Sequence, residues 1–196
     1  MQRLLIVLSV AFAVLISCSQ MPDTQYFTLE YDISAQPETV TDLPVYIEAF
    51  DANPLLDQDR MIYKTSQYEL KLDHYRRWVM SPNGLVERKL NDYFHERGVF
   101  AYVVHQVPRD RQCYYLSGHV QSFEEVAYGP QRQAHIAIWF ELIHMKTRDV
   151  LMSQLFKESV PITGDTADAI AAAMSQATLS LFDNLADRLQ AELRTP

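Results

Sequence analysis

The alternation of apolar and polar positions divides this chain into strands, a helix, further strands and a closing helix. Val45 to Phe50 reads as a first strand, stopped by Asp51-Ala52-Asn53-Pro54. Met61 to Lys64 and Gln67 to Leu72 read as two more, joined by a tight turn at Thr65-Ser66. A helix follows. Ser81 is placed to cap it, and Pro82 suits a first helical position, where the missing N–H has no partner to lose. Val86, Leu90, Tyr93 and Phe94 then recur on one face, and Gly98 is a natural stop. Strand patterns return at Phe100 to Gln106, Leu116 to Val126, Ala134 to Met145 and Val150 to Val160. In the third of these, Ile136, Ile138, Phe140 and Leu142 alternate with His135, Ala137, Trp139 and Glu141, the period of a pleated strand. Lys146-Thr147-Arg148-Asp149 forms the hairpin to the fourth. Asp165, with Asp168 three residues on, is the expected cap of a last helix. Its apolar stripe is Ile170, Met174, Ala177, Leu181, Leu185 and Leu189. This order predicts an α+β fold: a mixed or largely antiparallel sheet with two main helices packed on one face.

The start of the chain follows a different pattern. Arg3 and the amino terminus make a short positive region, and Leu4 to Ile16 are apolar apart from Ser9. As a helix this run is roughly 20 Å long, short of the ~30 Å hydrocarbon core of a bilayer, so it reads as a secretory signal and not as a membrane span. It ends in Leu15-Ile16-Ser17-Cys18. Those residues resemble the lipobox of bacterial lipoproteins, with an ordinary secretory signal that happens to hold a cysteine as the plainer alternative. The resemblance implies that Cys18 receives a covalent diacylglycerol, becomes the mature N-terminus and takes an N-acyl chain, and that no other cofactor is needed. It also implies, from Ser19 in place of aspartate, sorting to the outer membrane. Two or more acyl chains hold a protein stably to a leaflet, at about 0.8 kcal/mol per buried methylene. The expected organisation is a signal peptide at 1–17, a lipidated tether at 18–25 and a single periplasmic α+β domain at 26–196.

Charge narrows the range of partners. The formal net charge is -8, and removal of Arg3 would make it more negative. Nucleic acid calls for a basic face, and an acidic domain gains nothing from anionic lipid, so anchoring falls to the acyl chains. With Cys18 lipidated, Cys113 has no disulfide partner. In its apolar run Cys113-Tyr114-Tyr115-Leu116 it reads as a buried small hydrophobe, with an intermolecular disulfide as the alternative.

Catalytic signatures do not stand out. The chain holds five glycines and neither a Gly-x-Ser-x-Gly elbow nor a phosphate-cradling loop. His105, His119, His135 and His144 fall on predicted strands without the helical spacing or cysteine pairs of a metal site, so no metal is expected. Glu124 and Glu125 are neighbours on a strand and point apart, which spoils them as an acid/base pair. Asp57 and Asp59 read as solvated turn residues. The expectation is a protein that is not an enzyme.

Two segments carry candidate contact chemistry. Asn53-Pro54-Leu55-Leu56-Asp57-Gln58-Asp59-Arg60 places an apolar pair in a loop between strands, where it either meets a partner or tucks under the sheet as core. Tyr63, Tyr68, Tyr75 and Trp78 crowd beside Arg76-Arg77, residue types favoured at interfaces but equally at home in core and rim.

These residues also carry a family likeness. Tyr26-Phe27-Thr28-Leu29, Val45 to Phe50, Pro54-Leu55-Leu56-Asp57 with Arg60, Met61-Ile62-Tyr63, Tyr68-Glu69-Leu70 and Arg77-Trp78 appear in the order shown by the ABC-type transport auxiliary lipoproteins, the PqiC-like group. Leu116 to Glu124 and Ala137 to Leu142 resemble the strand pair of that group, whereas Lys146 to Asp149 depart from its usual Asp/Gly turn. The resemblance implies an outer-membrane lipoprotein facing the periplasm, which docks an MCE-domain protein of an intermembrane lipid transport system and so supports envelope integrity. Within the two candidate segments, Pro54, Leu55, Leu56, Asp57, Arg60, Arg77 and Trp78 are the expected partner-binding residues, and a conduit adaptor leaves room for a homo-oligomer. The rival readings are a periplasmic lipid-binding carrier and a scaffold or activator lipoprotein for other envelope machinery.

Overall fold

A computed structural model describes residues 23–33 and 39–194. The expected signal peptide, the expected lipobox residues Leu15, Ile16 and Ser17, and Cys18 lie outside the described residues.

One long strand organises the sheet. β7 (Tyr114–Val126) pairs antiparallel with β8 (Gln133–His144) over its whole length, and β8 pairs in turn with β9 (Asp149–Pro161). The other edge of β7 is shared by three short strands in succession, all parallel to it. β2 (Val45–Ile47) lies beside Tyr114 to Leu116, β3 (Asp51–Ala52) beside His119 and Val120, and β4 (Arg60–Lys64) beside Glu125 and Val126. β5 (Leu70–Trp78) continues the sheet antiparallel to β4, β1 (Gln25–Phe27) lies parallel to β5, and β6 (Val103–Val104) flanks β2. The result is a mixed sheet of nine strands among the described residues, the predicted α+β class.

The two helices form where the apolar stripes placed them. α1 (Pro82–Arg97) buries Leu85, Val86, Leu90, Tyr93 and Phe94. Ser81 has the extended backbone of a cap but its hydroxyl makes no capping bond; Gly98, at φ 68°, ends the helix through its N–H to the Phe94 carbonyl at 3.0 Å. α2 (Ala167–Arg194) buries all six residues of its expected stripe. The helices meet through the Tyr93 and Phe182 rings, 5.5 Å apart, and through the Tyr93 hydroxyl, which donates to Asp183 at 2.7 Å. Burial and that carboxylate together push the Tyr93 phenol above its ordinary pKa. Both helices cover one face, and Leu29, from the segment after β1, is fully buried with them.

Several expectations need correction. The cap of α2 is Thr166, whose hydroxyl accepts the Ala169 N–H at 3.2 Å; Asp165 instead binds Arg132. The strand expected over 45–50 stops at Ile47 because the chain turns away. The Phe50 N–H goes to Glu87, and the Phe50 carbonyl accepts from Asn83, both on α1. The strand expected at 100–106 shrinks to Val103–Val104, leaving His105 outside it, and Phe100 joins the core instead. β5 runs on to Trp78, six residues beyond its expected end. A bulge interrupts it where the Asp73 carboxylate accepts the Tyr75 and Arg76 N–H groups. β1 was signalled only by the Tyr26-Phe27-Thr28-Leu29 likeness. Cys113 is fully buried, as read, and burial raises its thiol above the ordinary range.

β7 carries the irregularity that matters most below. Its pairing with β8 slips between Val120 and Ser122, so Gln121 bulges. Before the bulge the even positions Leu116, Gly118 and Val120 face the core; after it the buried run is Phe123, Glu124 and Glu125.

Candidate functional site

The loop between β3 and β4 is built on that bulge. Asn53 donates its backbone N–H to the Val120 carbonyl at 3.2 Å and its side-chain Nδ2 to the Gln121 carbonyl at 2.8 Å. Pro54 to Leu56 then make one tight helical turn, closed by the Leu56 N–H on the Asn53 carbonyl at 2.7 Å. Proline suits the first position of such a turn because its φ is already fixed there. The turn decides which leucine is which. Leu55 is 44 % exposed, whereas Leu56 is 3 % exposed.

Beside this turn lies a cleft of about 300 Å³, lined by Pro54, Leu55, Leu56, Ile62, Leu70 and Glu124 together with Asn53 and Gln121. Its walls are mostly aliphatic. On its floor the Glu124 carboxylate, almost wholly buried, sits 2.7 Å from the Lys64 ammonium and also accepts the Phe123 N–H at 3.1 Å. A carboxylate so placed stays tolerable only while its cation is present.

The far end of the loop is tied to β5. The Arg77 guanidinium contacts the Asp59 carboxylate at 2.8 Å, and the Trp78 N–H donates to the Asp59 carbonyl at 2.6 Å. Arg60 lies opposite Arg77 in the β4–β5 register, and Asp57 is exposed between them and Leu55. The structure thus brings Pro54, Leu55, Asp57, Arg60 and Arg77 to one side of the molecule. Leu56 and Trp78, expected among the partner-facing residues, are core side chains. Trp78 packs edge-on against Phe123 with centroids 5.2 Å apart, so both residues shape the surface from beneath and reach no partner directly.

The sequence reading missed Ile62, Leu70, Gln121 and Glu124 as neighbours of this loop. Each lies in a segment of the family likeness, but nothing in the sequence set them beside the loop, because only the strand pairing does so. The two glutamates are held by different cations, Glu124 by Lys64 and Glu125 by Arg132 at 2.7 Å. His119 lies 3.3 Å from Asp51, and His135 and His144 contact the hydroxyls of Ser159 and Thr147. Among the described residues no group of three or more His, Cys, Asp or Glu is arranged to hold a metal. No helix among them is long and apolar enough to cross a membrane.

What fold and cleft define is an α+β module with one continuous buried core and an apolar cleft at its surface. The chain belongs to the family of ABC-type transport auxiliary lipoprotein components, whose model matches residues 27–186. A protein of Xanthomonas campestris, known from its crystal structure, superposes with a TM-score of 0.76 at 20% identity, covering 86% of this chain and 96% of its own. A hypothetical protein of Chlamydia trachomatis superposes at 0.57 with 5% identity, over 80% of this chain and 100% of its own. Likeness at such low identity shows the fold alone. None of the curated proteins matches the chain significantly.

Proposed function

We propose that this protein is an outer-membrane lipoprotein that serves as the docking subunit of an MCE/ABC-type intermembrane lipid transport system, contributing to envelope integrity. Cys18, at the end of the lipobox Leu15-Ile16-Ser17, carries the acyl chains, and Ser19 after it favours passage to the outer membrane. The observation that carries the docking role is the cleft beside Leu55: an apolar opening on the surface of a transport-auxiliary domain, with an exposed leucine at its rim. Leu55 and Pro54 are the contact residues, Asp57, Arg60 and Arg77 form the polar surround, and Leu56 and Trp78 hold the surface in shape. A tether raises the local concentration of the domain for anything else confined near the same leaflet, so a cleft of modest affinity suffices.

The test is a photo-crosslinking amino acid in place of Leu55 in intact cells, followed by identification of the adduct. An MCE-domain protein is the expected product. An adduct with phospholipid alone would replace docking with the carrier reading, and one with a cell-wall enzyme would replace it with the scaffold reading.

A further inference from the structure

Several strand ends meet at one end of the sheet. β4 ends and β5 begins there, joined by residues 65–69; β7 ends and β8 begins there, joined by residues 127–132. The second connection touches the end of β4, with the Ala127 N–H donating to the Lys64 carbonyl at 2.9 Å. Tyr68, on the first, is 90 % exposed, and Tyr128, on the second, is 39 % exposed. The charges around them are matched among themselves: Lys64 with Glu124, Lys71 with Glu69 at 3.4 Å, and Arg132 with both Glu125 and Asp165, the latter at 2.9 Å. In a chain of net charge -8, this end is aromatic and close to neutral.

The chain enters the domain from the same direction. β1 is parallel to β5, with Gln25 opposite Arg76, so the chain enters β1 from the end where β5 begins. Because β5 is bulged there, Arg77 and Leu70 face Arg60 and Lys64, and the stretch back to Leu70 covers only about 13 Å. The seven residues separating Cys18 from Gln25 reach at most about 25 Å. The length of chain ahead of β1 is therefore enough for Cys18 to reach the Tyr68 end.

We infer that this end of the sheet lies against the bilayer leaflet holding the anchor, with the rings of Tyr68 and Tyr128 in its headgroup layer. The inference rests on the proposed lipidation of Cys18. Tyrosine suits that layer because its ring is apolar and its hydroxyl stays wet. A near-neutral surface suits it too, since opposed charges need not be stripped of water to approach lipid. The β8–β9 hairpin then faces away from the leaflet, and the Leu55 cleft opens on the flank between.

The test uses the full-length lipidated protein in phosphatidylcholine vesicles. An environment-sensitive fluorophore is attached through Tyr68→Cys, Tyr128→Cys or Val150→Cys, the last beside the β8–β9 hairpin; buried Cys113 is shielded from labelling. Blue-shifted emission and quenching by lipids spin-labelled near the headgroup are expected at positions 68 and 128 and not at 150. Equal quenching at all three positions, or none at 68 and 128 while mass analysis shows an acylated Cys18, overturns this inference and leaves the anchor standing. A bare thiol at Cys18 overturns both.

Discussion

The side-chain amide of Asn53 donates a 2.8 Å hydrogen bond to the carbonyl of Gln121, the residue at which β7 bulges. A bulge leaves one residue without its ladder partner and aims its neighbours differently. Here the freed carbonyl is taken by the loop that carries Leu55, so the irregularity of one strand holds the candidate contact surface in place.

Asn53→Ala removes that bond and leaves the Gln121 carbonyl to solvent. The expected loss is about 0.5–1.5 kcal/mol, the net worth of a typical hydrogen bond, read as a lower urea midpoint at unchanged slope. Crosslinking from position 55 should fall with it, because the rim of the cleft is no longer fixed. Unchanged stability and crosslinking together would show that Pro54 and the Asn53 backbone suffice to hold the loop.

Leu55 and Leu56 should part company under the same substitution. Leu55→Asp, at a position 44 % exposed, is expected to stay within about 0.5 kcal/mol of the parent protein while losing partner binding. Leu56→Asp buries a carboxylate without a cation at a position 3 % exposed and should unfold the protein or destabilise it by several kcal/mol. Denaturation curves of the two single variants make the comparison. Equal stability would contradict the burial difference.

Gly118 and Phe50 form a second close relationship. A Cβ placed on Gly118 would meet the Phe50 ring at 2.7 Å, and that ring in turn packs edge-on against Phe140. Gly118→Ala is therefore expected to cost about 1–3 kcal/mol through overpacking. Phe50→Leu in the same chain should recover part of the loss by vacating the space, a coupling that a double-mutant cycle of thermal midpoints measures. Additive losses would mean the ring moves aside freely.

Acid should weaken the fold through His135. Burial holds its imidazole below the ordinary histidine value, with Lys64 and Lys157 adding to the effect and the Glu124 carboxylate opposing it. The unfolded chain then binds a proton that the folded chain refuses. The stability associated with the neutral ring is present above about pH 6.5, the unfolded value, and is lost as the pH falls toward the depressed folded value. Comparison of His135→Gln with the parent across pH 5 to 7.5 should show a flatter stability profile in the variant. Parallel profiles would remove His135 as the cause.

Much of this architecture was legible along the chain. Both helices appeared where 3.6-residue stripes ran, the first between a start signal and a stop, and the inner positions of β8 followed strict alternation. These features need only neighbours in sequence. The alternation of β7 was readable up to Val120 and misleading after it, because a bulge changes which residues face inward without changing composition. The short strands were harder still. β2 and β4 were expected within Val45 to Phe50 and at Met61 to Lys64, but β3, two residues long, carries too little periodicity to announce itself, and no short window shows that all three pair with β7.

At the candidate site the division is sharper. The sequence marked Pro54-Leu55-Leu56-Asp57 as a loop with apolar residues and left open whether they faced a partner or the core. Both outcomes occur, one for each leucine, since a single helical turn points adjacent side chains in different directions. Trp78 looked like an interface residue by type and is core by position. The apolar lining from Ile62 and Leu70, and the Lys64–Glu124 pair beneath it, join residues that only the β4–β5 and β4–β7 pairings bring together.

What the sequence determined by itself was local: helices, long strands, turn chemistry, the export signal pattern and the family likeness, all of which depend on residues a few positions apart. What the tertiary structure decided was non-local: the sharing of one β7 edge among three strands, the exposure of Leu55 against Leu56, and the cleft. Those depend on strand register, and register is chosen by the burial of whole faces at once, a quantity that no short window of sequence contains.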